Sequence, residues 1–215
     1  MTSALEAAFA AQRYDEPPIS HPVSLEAFAK DYPNPDIPIR DLAAVHPLFQ
    51  RVRGEGNCFY RACLYLYLCY APLHDYGTLF PQVSLREARN TPFASADFEP
   101  DVVLQFIWQR YLRPLAGTRG REREERVRDA LGSSFLLEAY LIVYFRCLNH
   151  RYLTQNRREV DDFADVGKEL DRTRTYGQES EGVELLSMAR VLKAEITVMA
   201  TLPDGIQEYV YEGGS

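Results

Sequence analysis

The chain has 215 residues, 46% of them hydrophobic and 26% charged, which supplies the core of one globular domain and is too short for two full domains side by side. Its formal net charge of −7 excludes a general nucleic-acid binder, whose surface needs an excess of Lys and Arg against phosphate, and suits a cationic partner. Its cysteines, Cys58, Cys63, Cys69 and Cys147, form neither paired CxxC metal spacings nor a dense disulfide scaffold, so they read as reduced thiols with no metal and no cofactor.

Taken in chain order, residues 1–39 carry Pro17, Pro18, Pro22, Pro33, Pro35 and Pro38. That density breaks helices and predicts a proline-rich N-terminal arm, extended or loosely attached, in which only about the first dozen residues are helical. Residues 40–215 are expected to form the domain proper. Asp41–Phe49 leads into a short strand or turn at Phe49–Val52, and a helix follows from about Asn57 to Leu68, with Asn57 suited to its N-cap. Ala62, Leu66 and Tyr70 recur at a spacing of four, which predicts an inward-facing row.

Beyond Pro72, Pro81 and Pro92, the residues Val102, Val103, Phe106, Ile107 and Tyr111 give Phe98–Leu112 the spacing of an amphipathic helix. The mixed Arg and Glu run Arg119–Arg128 reads as a solvated helix face laced by i,i+4 pairs. Ser133–Arg146 reads as a Ser-capped buried helix, with His150 at the end of an apolar run over 135–148. The β-branched alternation of Ala194–Met199 predicts a strand. No basic-then-apolar leader opens the chain and no run of about 18 apolar residues could span a bilayer. A soluble, cytoplasmic or nuclear protein with no membrane partner is therefore expected.

The richest segment is Gly54-Glu55-Gly56-Asn57-Cys58-Phe59-Tyr60-Arg61-Ala62. It sets one cysteine after a glycine turn at the start of an apolar helix. Unpaired N–H groups there carry partial positive charge, stabilise a thiolate and can hold an oxyanion, which makes Cys58 a candidate nucleophile. The competing reading is a small buried side chain opening a core helix, the role assigned to Cys63 and Cys69. Glu55 is either an exposed turn residue or part of an oxyanion loop with Gly56. Asn57 either caps the helix, supports that loop, or does both.

These nine residues resemble the cysteine box of the ovarian-tumour (OTU) family of cysteine-type deubiquitinases, and the Phe-Tyr-Arg-Ala continuation resembles the otubain branch. A second likeness is Ser133–Arg146, which is similar to the otubain helix ending in a VYLRL pattern. Gly182–Leu192 parallels a later helix of that family, which feeds the strand Ala194–Met199, and the likeness runs over residues 40–211.

The resemblance implies an α/β (α+β) cysteine-protease-like fold with a small mixed sheet flanked by helices. It also implies a Cys58 acyl-thioester formed from ubiquitin isopeptide bonds, with Glu55 standing where the family carries Asp, and Gly56 and Asn57 forming the oxyanion loop. Ubiquitin, proteasome-targeting polyubiquitin chains and ubiquitin-conjugating enzymes are the implied partners. A papain-like peptidase fits less well, because the box lacks that family's tryptophan.

A cysteine hydrolase also needs a base, and histidine has the suitable pKa. The histidines are His21, His46, His74 and His150, and none lies on a late strand, where the family carries its catalytic histidine. The chain is therefore expected to lack the last C-terminal strands and to turn over weakly. The alternative is a non-catalytic protein that binds ubiquitin or ubiquitin-conjugating enzymes.

Overall fold

The computed structural model describes residues 2–11, 17–27, 39–71, 83–93, 99–159, 165–202 and 205–214. The described residues are mostly helical. Helix α1 is Thr2–Ala11, strand β1 Val23–Ser24, helix α2 Ile39–Val45, strand β2 Leu48–Phe49 and helix α3 Cys58–Tyr70. After these come α4 (Pro100–Ile107), α5 (Gly120–Ser133), α6 (Phe135–Gln155), α7 (Val166–Arg174), α8 (Gly182–Leu192), β3 (Ile196–Leu202) and β4 (Gly205–Tyr211).

Helix α6 is the axis of the core. Ser134 Oγ accepts the Leu137 N–H at 3.3 Å and starts it, and Leu137–Leu148 is buried on every face, as a helix apolar all round must be. Helices α3, α5, α7, α8 and α1 pack against it. No single helix among the described residues is long and apolar enough to cross a membrane.

The strands form two separate antiparallel pairs, β1 with β2 and β3 with β4. The second pair runs in register from Ile196 opposite Tyr211 to Leu202 opposite Gly205. The expected small mixed sheet is thus two short antiparallel ribbons among the described residues. The one parallel pairing there is the isolated bridge between Arg89 and Thr175.

Several expectations change on packing. The N-terminal residues that can be described are docked: Leu5, Phe9 and Ile19 belong to the core. The Phe9 ring meets Phe106 edge-on at 5.4 Å and stacks over Tyr111 and Tyr140 at 6.1 Å. The row Ala62, Leu66, Tyr70 faces out, with Leu66 52% and Tyr70 64% exposed. A step of four advances about 40° past a full turn, so in a helix apolar on most faces such a row does not choose a direction.

The Arg119–Arg128 run does form exposed pairs, Arg121 with Glu125 and Glu122 with Arg126. Yet Arg123 and Arg128 turn inward. Arg123 donates to the Leu68 carbonyl at 2.7 Å and the Ala71 carbonyl at 3.0 Å, satisfying orphan acceptors at the end of α3. The helix predicted over Phe98–Leu112 is regular only to Ile107, then widens to a π turn at Trp108–Leu112 and tightens to a 3₁₀ turn at Arg113–Gly117. Pro114 has no N–H for the α ladder.

Candidate active site

The cysteine loop is held by a glycine turn on the opposite side. Gly56 has φ +77° and Gly177 φ +81°, and a Cβ on Gly56 would lie 1.8 Å from the Gly177 carbonyl oxygen. No other residue type fits that approach. Asn57, fully buried, links the two turns: its Oδ1 accepts the Gly177 N–H at 3.0 Å and the Arg146 Nε–H at 3.1 Å. Two donors on one atom fix the amide orientation.

Asn57 stands at the N-cap position of α3 without a side-chain capping bond, so of the expected roles the structure gives its side chain that of loop support. Arg146, on α6 and 1% exposed, completes the joint. It donates to the Gly56 carbonyl at 2.8 Å, the Arg172 carbonyl at 3.3 Å and the Gln178 carbonyl, and lies 4.3 Å over the Tyr60 ring.

A second buried arginine braces the loop from the other side. Arg61 donates to Glu138 of α6, to Glu55 and, at 2.6 Å, to the Arg53 carbonyl. Burial pushes the Glu138 carboxyl up to about 8 and the Arg61 guanidinium down, and for Arg61 the charge and hydrogen bond of Glu55 oppose that tendency. Burial also raises Glu55, but hydrogen bonds and charge from Arg53 and Arg61 outweigh it and hold that carboxyl below its usual value. Glu55 thereby ties the glycine turn to α3.

Cys58 is the first residue of α3 and its side chain is exposed. The Asn57 carbonyl accepts the Arg61 N–H at 2.9 Å, which begins the helix. The N–H groups of Asn57 and Cys58 have no acceptor among the described residues. An exposed thiol beside two unpaired N–H groups at a helix N-terminus can attack a carbonyl and hold the resulting oxyanion. Cys63, Cys69 and Cys147 are buried, with their pKa values pushed up by burial to about 12, 11 and 12.

The histidines that can be described lie elsewhere. His21 Nδ1 accepts from Arg128 at 3.2 Å, and His46 is exposed between α2 and β2. His150 lies within α6 rather than at its end. Its Nδ1 donates to the Leu170 carbonyl of α7 at 3.1 Å, and burial lowers its pKa. None hydrogen-bonds Cys58, and His74 lies outside the described residues. No group of His, Cys, Asp or Glu among the described residues could hold a metal.

Under α3 runs a buried polar chain. Tyr60 donates to Glu184 at 2.8 Å and accepts from Asn149 at 2.9 Å, and Asn149 accepts from Ser187. Burial raises the Glu184 carboxyl to about 7. Beside the loop opens a cleft of about 760 Å³ between Gly54–Gly56 and Gly177–Glu181, edged by Glu179, Glu181, Lys168 and Arg172.

The loop residues Glu55, Gly56, Asn57 and Cys58 are legible in sequence, whereas Arg146, Arg61, Glu138 and Gly177 are not singled out there. The available signal was a charge inside an otherwise apolar run: Glu138 and Arg146 interrupt the greasiest stretch of the chain, and such charges are buried only when paired.

Comparison with known proteins adds the family. The model of the Peptidase C65 Otubain family matches residues 11–202. Ubiquitin thioesterase OTUB1 of Rattus norvegicus, Mus musculus and Homo sapiens is in each case 25% identical over 198 residues, covering 85% of this chain and 69% of the relative. Among solved structures, the h/ceOTUB1–ubiquitin aldehyde–UBC13~Ub complex matches with a TM-score of 0.63 at 17% identity, over 97% of this chain and 85% of that one. The corresponding UBCH5B~Ub complex gives a TM-score of 0.59 at 16% identity, over 97% and 86%. At those identities the likeness is one of fold.

Proposed function

Because the chain belongs to the Peptidase C65 otubain family, we propose that it is a cysteine-type deubiquitinase acting through Cys58. The observation that carries this reading is the exposed Cys58 thiol beside the unpaired Asn57 and Cys58 N–H groups, on a loop clamped by buried arginines.

In the proposed reaction the Cys58 thiolate attacks the carbonyl of the ubiquitin C-terminal glycine in an isopeptide bond, and the carbonyl electron pair moves onto oxygen facing the loop N–H groups. As the carbonyl re-forms, the C–N bond breaks and the amine leaves with a proton. Water then hydrolyses the thioester, releasing ubiquitin with a free carboxylate and restoring the thiol. Ubiquitin is the proposed substrate, and the carboxylate of Glu179 on the cleft suits the arginines of its tail, Glu181 being paired with Arg172 at 2.8 Å. Ubiquitin-conjugating enzymes are proposed partners, supported by the likeness to OTUB1 complexes with UBC13~Ub and UBCH5B~Ub. We place its action in the cytoplasm or nucleus, where thiols stay reduced.

None of the described histidines hydrogen-bonds Cys58, so the test separates acylation from turnover. The chain and a Cys58→Ala variant are incubated with a ubiquitin C-terminal thioester, whose thiolate leaving group needs no acid, and with isopeptide-linked diubiquitins. One ubiquitin thioester-linked to the chain, absent in Cys58→Ala, is expected by intact mass. A folded chain that takes no ubiquitin, or takes it equally without Cys58, would sink the enzyme reading; binding without transfer would then mark a ubiquitin-binding protein.

A further inference from the structure

We infer that Arg146 is a positioning residue for the oxyanion site: by holding the Gly56 carbonyl inward it aims the Asn57 N–H at the carbonyl that Cys58 attacks. This rests on the reading of Cys58 as the nucleophile.

The peptide unit between Gly56 and Asn57 is planar and trans, so its C=O and N–H point in opposite directions. The C=O is pinned on the buried side by Arg146 Nη2 at 2.8 Å. The Asn57 N–H is therefore directed away from Arg146, and it has no acceptor among the described residues. The next peptide unit is fixed by the helix, since the Asn57 carbonyl accepts from Arg61, which leaves the Cys58 N–H pointing out of the first turn. Two successive N–H groups thus face the same way beside the thiol, the concave arrangement that binds anions.

Left to itself a glycine with φ +77° could flip this peptide plane, because glycine populates both signs of φ with little preference. The planar guanidinium removes that freedom. Its Nε grips the Asn57 side chain, and its Nη atoms grip the Gly56, Arg172 and Gln178 carbonyls. One rigid fork from the central helix joins both sides of the cleft. A lysine cannot do this, since its single ammonium lacks the fork.

The experiment compares two reactions of the same thiol in wild type, Arg146→Lys and Asn57→Ser, with thermal melts run alongside. Asn57→Ser removes one anchor of the guanidinium and carries the same test if Arg146→Lys does not fold. Alkylation by iodoacetamide displaces iodide without developing an oxyanion, whereas acyl transfer from a ubiquitin C-terminal thioester passes through one.

In folded variants the alkylation rate is expected to stay within about threefold, while acylation falls by roughly 100-fold, as when an oxyanion donor is lost. A parallel fall of both rates, or no fall in acylation, would overturn the inference while leaving Cys58 as the nucleophile. A wild-type chain that is alkylated at Cys58 yet never acylated would overturn the proposed function and this inference with it.

Discussion

The sharpest consequence of the loop geometry is the contrast between Gly56→Ala and Gly54→Ala. An ideal Cβ on Gly56 would meet the Gly177 carbonyl oxygen at 1.8 Å and its carbonyl carbon at 2.4 Å, while a Cβ on Gly54 finds nothing within 4 Å. The obstructing atoms are backbone, so no side-chain rotation relieves the clash and the two turns must separate. Left-handed backbone costs an alanine about 1–2 kcal/mol. Separation also forfeits the Asn57–Gly177 hydrogen bond, worth about 1 kcal/mol, and strains the Arg146–Gly56 bond, worth roughly 1.5–3 kcal/mol because its donor is charged. Gly56→Ala is therefore expected to lose about 3–5 kcal/mol, and Gly54→Ala less than about 0.5 kcal/mol. Urea unfolding followed by circular dichroism reads the difference directly from the midpoints at a common slope. Two midpoints within about 1 kcal/mol of each other would mean that the turns do not touch as described.

The thiols should separate by accessibility: intact mass after brief iodoacetamide treatment at pH 8 is expected to gain one adduct, at Cys58, and four only in denaturant, because burial both hides the other three and raises their pKa values. Early labelling of Cys63 or Cys147 would contradict the packing of α3 and α6. Arg61→Met leaves Glu138 in the core with only Arg53, 3.7 Å from its other oxygen, and should cost about 3–5 kcal/mol, whereas the double change Arg61→Met with Glu138→Leu should recover the part due to that pair but not the lost bonds to Glu55 and the Arg53 carbonyl; additive losses in chemical denaturation would refute the pairing.

Glu184, 0% exposed, has its folded pKa raised from 4.5 to about 7, so the folded state keeps a proton that the unfolded chain has released. That contribution is complete below pH 4.5 and is lost as pH rises through about 7, so wild type should lose on the order of 3 kcal/mol relative to Glu184→Gln between pH 5 and pH 8. A constant difference in urea midpoints across that range would show that Tyr60, Arg146 and Arg172 already hold Glu184 charged.

What sequence could and could not convey follows from the kind of interaction involved. The Ser134 cap and the buried run of α6 are local, and each was readable because capping chemistry and hydrophobic pattern agree there, whereas α8 was implied by the family resemblance. The direction of the Ala62, Leu66, Tyr70 row was not readable, since α3 carries apolar residues on most of its circumference. Docking of Leu5 and Phe9 was obscured by the prolines that follow them. Those prolines limit helix length without preventing two apolar side chains from reaching Tyr111 and Tyr140. The cysteine loop was legible as a chemical motif, but Arg146 and Gly177, which Asn57 joins, lie 89 and 120 residues from it in the chain, and no local pattern encodes Gly177 opposite Gly56.

Why the loop should be held by buried guanidinium groups rather than by apolar packing has a physical answer. A turn that presents N–H groups to a substrate must turn its carbonyls the other way, into the protein, where each needs a donor. Leu or Phe beneath the loop would fill the space and leave the Gly56, Arg53 and Gln178 carbonyls unsatisfied. Arg146 and Arg61 each supply several donors in a fixed plane, and both stand on helices, so their positions inherit helical rigidity. Burying two such charges is expensive unless partners surround them. Glu138 meets Arg61, while Arg146 is met by four oxygen acceptors and the Tyr60 ring face. The polar interior beneath Cys58 is thus the counterpart of the N–H groups exposed above it, and a substitution that made this layer apolar would be expected to preserve the helices while releasing the loop.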